Sequence, residues 1–204
     1  MRLYLVIAIA SLLIFAVQIN TLFAYGYKRD EDPLIKVFKE IVYYGKKDDW
    51  GQIAKQVDTI NDRLNDVRVI FHVDLTQTLS EAINNQDFQG LVKCMANLVF
   101  LAIEEKFYWN RSEKLEIHLK AKVRLRLAEE YYIKLLAGNV RGYDIKNGTY
   151  FNDTIYQLFI DARKTIGSLG FFGMGAVKPD LEKFVEITDE IEETLLTVFP
   201  YFER

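Results

Sequence analysis

His72, His118, Arg124 and Tyr132 are the side chains of this 204-residue chain whose types could grip a small ligand. An imidazole offers a ring nitrogen, a guanidinium a fork for an anion, and a phenol a hydrogen bond at the end of an apolar ring. The chain has two histidines in all, and neither has an acidic residue three or four positions away. Asp74 and Glu116 stand two positions off, which turns them away from the histidine on a helix. The E-x-x-H and H-E-x-x-H spacings that aim two metal ligands from one helical face are missing. No metal site and no cofactor are therefore expected. A ligand site would have to be assembled across helices from His118, Arg124, Tyr132 and His72.

The stretch TIGSLGFFGMGAVKPD, residues 165–180, raises the question of a phosphate cradle. Such a cradle needs glycines on a strand-to-helix turn, so that backbone N–H groups and a helix N-terminus converge on the anion. Here Gly167, Gly170, Gly173 and Gly175 follow a helical pattern, and Lys178 has no serine or threonine after it. The stretch reads as a flexible loop: a helix stop at Gly167, a crossing with Phe171 and Phe172 turned inward, and a restart at Pro179. Aromatics among glycines would also suit a docking flap.

Other chemistry is weaker still. No G-x-S-x-G elbow occurs. The pairs Glu104–Glu105, Glu129–Glu130 and Glu192–Glu193 are adjacent, so on a helix each diverges by about 100°. They read as solvated faces, with Glu130 set to pair with Lys134 four positions on. Lys120, Lys122, Arg124 and Arg126 form a basic run that a helix splits into two rows, one pairing with internal acids and one facing water. The run lacks the interleaved aromatics that nucleic acid needs for stacking. The clusters at Tyr108–Trp109 and Tyr131–Tyr132 suit the margin of a core. Sequons stand at Asn110, Asn147 and Asn152, all at expected helix ends or loops.

Most of the chain that must carry these residues follows a helical period. Asp32 and Pro33 open a helix that Gly45 closes. A second runs from Asp48 or Asp49 to Phe71, a third from Asp74 through Ile83. Asp87 caps a fourth, whose stripe is Phe88, Leu91, Val92, Met95, Val99, Ala102 and Ile103. Residues 116–127 alternate apolar and polar without a break, which is a strand pattern. The continuation AEEYYIKLLAG is helix-periodic, however, and Ala121, Leu125, Ala128, Tyr132 and Leu135 form one face. A helix over 113–137, stopped by Gly138, is the reading adopted. Asn147–Gly148 suggests a small β-hairpin near 142–151. Further helices are expected over 152–166 and 179–198. The fold class is all-α: an up-and-down bundle of about six or seven helices over 33–204.

The ends and the composition set the compartment. Arg2 precedes an uncharged apolar run, and LFA ending at Ala24 resembles a cleavage site, as in a secretory signal peptide. Uncleaved, residues 3–24 would serve as a single membrane anchor, since a span takes roughly 20 residues. Either way the bulk of the chain is expected outside the cytoplasm, periplasmic or extracellular, on a charged spacer of residues 25–32. The single cysteine, Cys94, can form no internal disulfide, so packing must carry stability. A net charge of −3 gives no overall attraction for nucleic acid or anionic lipid. The expected function is a non-enzymatic, exported or tethered bundle that binds a partner protein or small ligand. The alternatives are a metal or redox cofactor carrier, or an enzyme, with its site inside the bundle, and a structural subunit of an exported assembly.

Overall fold

The computed structural model describes residues 31–170 and 175–204, and Asp32–Arg204 forms one compact unit. The signal-peptide or anchor reading of residues 1–24, and Phe171, Phe172 and Gly173 of the glycine loop, lie outside the described residues. The helices are α1 (Pro33–Gly45), α2 (Trp50–Asp58), α3 (Asn61–Phe71), α4 (Thr76–Asn84), α5 (Phe88–Ser112) and α6 (His118–Tyr131). A π turn (Tyr132–Leu136) joins α6 without a break to α7 (Ala137–Asn147), and α8 (Phe151–Thr165) and α9 (Leu181–Val198) follow. The described residues thus form an all-helical bundle with no strand, and one isolated bridge. None of these helices is long and apolar enough to cross a membrane.

Caps set most boundaries. The carboxylates of Asp32, Asp49, Asp87 and Asp180 accept bonds from Leu34, Gln52, Gly90 and Lys183 N–H at 2.9–3.1 Å, each satisfying an orphan donor of the first turn. Three expectations are corrected. The helix expected from Asp49 to Phe71 breaks at Thr59–Ile60, where Thr59 and Ile60 N–H bond back to Gln56 and Val57 carbonyls, and Thr59 Oγ1 takes the Gln56 carbonyl at 2.7 Å. A hydroxyl competing for a carbonyl loosens a helix at that point. The apolar stripe continues across the break through buried Ile60, which hides it in the pattern.

The hairpin expected near 142–151 is absent: α7 runs through Gly138 and Gly142 to Asn147, and Gly148 (φ 68°) ends it. Asn-Gly signals positive φ, and a helix C-terminus uses that as readily as a tight turn does. The third correction concerns register. Ala121, Leu125, Ala128 and Tyr132 are buried as expected, but Leu136 replaces Leu135 as the next fully buried residue. A π turn carries one extra residue, so the buried seam moves on by one position. Among the described residues the split at Thr59–Ile60 adds one helix to those expected, and the failure of Gly138 to stop the rod carries it on to Asn147.

α5 is the axis of the bundle, packed against α1, α3, α4, α6 and α9. Every residue from Cys94 to Phe107 is buried, so this helix is enclosed on all sides rather than along one stripe. Phe107 lies against Phe159 of α8 and Phe184 of α9, with ring centroids 6.1 and 6.4 Å away. The C-terminal turn closes back on α5: Phe202 stacks on Phe100 at 4.9 Å, and Glu203 N–H donates to Asn97 Oδ1 at 3.1 Å.

Candidate functional site: two charged faces of the central helix

The four residues nominated by type do not converge. His118 Nδ1 faces the Ile166 carbonyl at 3.3 Å, across the α6–α8 contact. Arg124 makes a bidentate bridge to Glu113 at 2.8 and 2.9 Å. Tyr132 is fully buried; its hydroxyl donates to Asn152 Oδ1 at 3.0 Å and its ring packs against Tyr156 and Phe159. His72 is exposed in a left-handed conformation (φ 59°) that closes α3. Fourteen residues of helix part His118 from Tyr132, about 21 Å along the axis. Hollows of about 410, 300 and 210 Å³ lie on the described surface, and these are not lined by any of the four. Among the described residues no group of three His, Cys, Asp or Glu is placed to hold a metal.

The glycine loop is pinched at its base. Ser168 and Val177 exchange backbone bonds at 3.0 and 2.9 Å, and Gly167 takes φ 77°. A Cβ on Gly167 would meet the Val177 carbonyl at 2.3 Å, so both space and backbone demand glycine there. Gly170 and Gly175 also take positive φ, of 69° and 71°.

The chemistry that sequence reasoning missed lies on α5. Glu104 and Glu105 read as a solvated pair, yet both are buried, 5% and 8% exposed. They do diverge. Glu105 bonds Arg63 of α3, and Lys106 Nζ approaches it at 2.8 Å. Burial, then Arg63 close by, holds the Lys106 ammonium below its ordinary range. Asp32 and Asp66 rim this face, and Tyr131 adds a buried hydroxyl with no hydrogen-bond partner. Burial pushes the Tyr131 hydroxyl well above the usual phenol range, with Arg63 opposing and Asp32 adding.

Glu104 faces the other way, toward α9. Burial, with Glu192 second, pushes its carboxyl up to about 8. Glu192, 7% exposed, is itself raised to about 7 by burial, against the pull of Arg111. Arg111 gathers this face: it donates to Thr188 Oγ1 at 2.6 Å and Glu192 Oε1 at 2.9 Å, and meets Asp189 at 2.8 Å. Arg204 stands 4.0 Å from Glu192. The one available signal for these sites was the unbroken apolar run around them, which marks a helix with no outward face to hold a carboxylate.

Of the three sequons, Asn110 and Asn152 are buried and engaged, with the Ala121 carbonyl and the Tyr132 hydroxyl respectively, while Asn147 is exposed at the end of α7. Cys94 is buried, and burial pushes its thiol up to about 12, the behaviour of a packing residue.

No known protein family matches this chain, and neither a curated protein nor a solved structure shows significant similarity to it.

Proposed function

We propose that this protein is an exported or membrane-tethered, non-enzymatic helical bundle that binds its partner or ligand at the surface. The observation that carries the reading is the engagement of the nominated side chains with their own chain. Arg124 is held by Glu113, Tyr132 by Asn152 and His118 by a backbone carbonyl, so these nominated residues do not converge on one site. Binding then falls to the outside. The hollow of about 410 Å³ at the α7–α8 corner supports this, with exposed Ile145 and Tyr150 beside Arg141 and Asp153. Aromatic and aliphatic side chains among a few charges are common in such sites. The apolar leader of residues 3–24 supports delivery out of the cytoplasm.

The reading is tested by fusing alkaline phosphatase after Arg204 and analysing the purified chain for metal and chromophore. Phosphatase activity in intact cells and a protein free of stoichiometric metal or visible absorption are expected. Activity confined to a cytoplasmic reporter would overturn export, and one bound metal or chromophore per chain would overturn the surface-binding reading.

A further inference from the structure

One stripe of α5 meets both α9 and the turn that follows it. Lys93, Asn97, Phe100, Glu104, Phe107 and Arg111 recur at threes and fours, within about 80° of helical arc. All but Glu104 are matched across the contact. Lys93 Nζ lies 5.7 Å from the Tyr201 ring centroid, Asn97 takes the Glu203 N–H, and Phe100 stacks on Phe202. Phe107 meets Phe184, and Arg111 holds Thr188 and Glu192. Glu104 is buried, yet among the described residues it makes no hydrogen bond and no ion pair. Glu192 of α9 faces it, with Asp189 beyond Arg111, and Arg204 reaches in from the turn. Charged groups on the other elements packed around α5 turn to different partners: Arg63 of α3 to Glu105, Arg124 of α6 to Glu113, Lys36 of α1 to Glu40, and Glu81 of α4 to Gln77.

We propose that the turn after α9, Phe199–Arg204, is a proton-operated clasp: with Glu104 protonated it lies shut on α5, and with Glu104 ionised it lifts and admits water to the carboxylate. A buried carboxylate needs a cation, a hydrogen bond or water. Arg111 cannot turn to Glu104 without leaving Glu192 and Asp189. α9 cannot move off, because Phe184, Ile187, Ile191 and Leu195 are buried along it. The turn yields more easily. Opening it breaks the Glu203–Asn97 bond and the Phe202–Phe100 stack and leaves the α9 ladder whole. Local openings of this kind cost far less than unfolding the domain. Burial and the facing Glu192 push the Glu104 carboxyl up to about 8, which sets the clasp to work around neutrality, shut on the acid side. Open, it bares the rings of Phe100 and Phe202, both buried when it is shut.

The test uses the full chain carrying Glu203→Cys with a nitroxide label, read by its paramagnetic line shape. Glu203 is exposed and bonds Asn97 through its backbone, so the substitution keeps that bond. Cys94 is buried with its thiol pushed up to about 12, so labelling in mild acid spares it. Phe202→Ala supplies the line shape of an open turn. The ratio of mobile to immobile label should rise by up to about tenfold per pH unit between about pH 5 and 8, then level, while helical circular dichroism stays constant. Glu104→Gln and Glu104→Met, uncharged at every pH, should hold the label immobile throughout. A label immobile from about pH 5 to 9 in the parent would overturn the proposal, Arg204 then meeting the new charge with the turn shut. Mobility that rises as steeply in both Glu104 variants would overturn it in favour of Glu192 as the titrating group. Mobility that rises only as helical signal is lost would replace the clasp with global unfolding.

Discussion

Glu104 and Glu105 are neighbours on the most buried helix of the bundle, and they solve the same problem in opposite ways. A carboxylate taken out of water must be paired or neutralised. Glu105 is paired: Arg63 and Lys106 both reach it. Glu104 has no cation in bonding range among the described residues, faces a second carboxylate, and is pushed up to about 8, so near neutrality it holds its proton. The difference lies in what the facing helix supplies. α3 brings an arginine to one face of α5; on the other, Arg111 is already committed to Glu192, Asp189 and Thr188 of α9. One turn of helix therefore carries a fixed charge on one side and a titrating acid on the other.

The sharpest break in that comparison is Glu105→Gln. It would leave Arg63 and Lys106 without their carboxylate, and unfolding in urea should show a loss of about 3 kcal/mol, the low end for breaking a buried pair because Arg63 keeps some contact with water. Glu104→Gln should behave differently, and pH exposes the difference. The folded value of Glu104 lies above its unfolded value, so the native state keeps a proton that the unfolded chain releases. Its stability contribution is complete below about pH 4.5, falls as pH rises toward 8, and is level beyond. A decline of about 4 kcal/mol between pH 5 and 8.5 is expected, with Glu192 adding to it up to about 7. Glu104→Gln should flatten that decline, leaving stability unchanged at pH 4.5 and raised at pH 8.5. A decline as steep in the variant as in the parent would show that Glu104 is ionised when folded.

Tyr131→Phe sharpens the comparison on the Glu105 face. Its hydroxyl is buried without a hydrogen bond, so removal should be neutral or stabilise by up to about 1 kcal/mol. A loss beyond that would mean that Asp32 or Arg63 binds the hydroxyl after all. The smallest effect belongs to Arg204→Gln. That side chain is half exposed and 4.0 Å from Glu192, so a change below about 0.5 kcal/mol, vanishing in molar salt, is expected.

Much of the scaffold was legible from local rules. Asp32, Asp49 and Asp87 cap where the aspartates stand before apolar periods, and the helical period of 128–135 outweighed the alternation of 116–127. The split of the basic run was legible only in part: Arg124 meets Glu113, but Glu113 is half-exposed rather than internal, and Lys120 of the same row is exposed. Three things were not legible. The break at Thr59–Ile60 sits inside an intact apolar stripe. Gly138 and Gly142 are exposed positions where a helix interior tolerates glycine at a cost of about 1 kcal/mol each, outweighed by packing on either side. The burial of Glu104, Glu105 and Glu192 depends on which helix lies at the centre, and no local pattern states that. The nominated site failed for the same reason: residue types propose chemistry, but only packing decides whether His118, Arg124 and Tyr132 meet.

The turn at Tyr132–Leu136 lets the rod from His118 to Asn147 carry one residue more than uniform winding would seat. That residue is absorbed between the seam of Ala121 and Leu125 and the one of Leu136 and Val140. Deleting one position within the turn would return the rod to uniform winding and leave Leu136 and Val140 on the buried side. Tightening the turn to α winding with every residue kept would instead swing all that follows by about 100°, bringing Asn139 inward in place of Val140. The segment therefore accommodates a loss of length more readily than a loss of its wide turn.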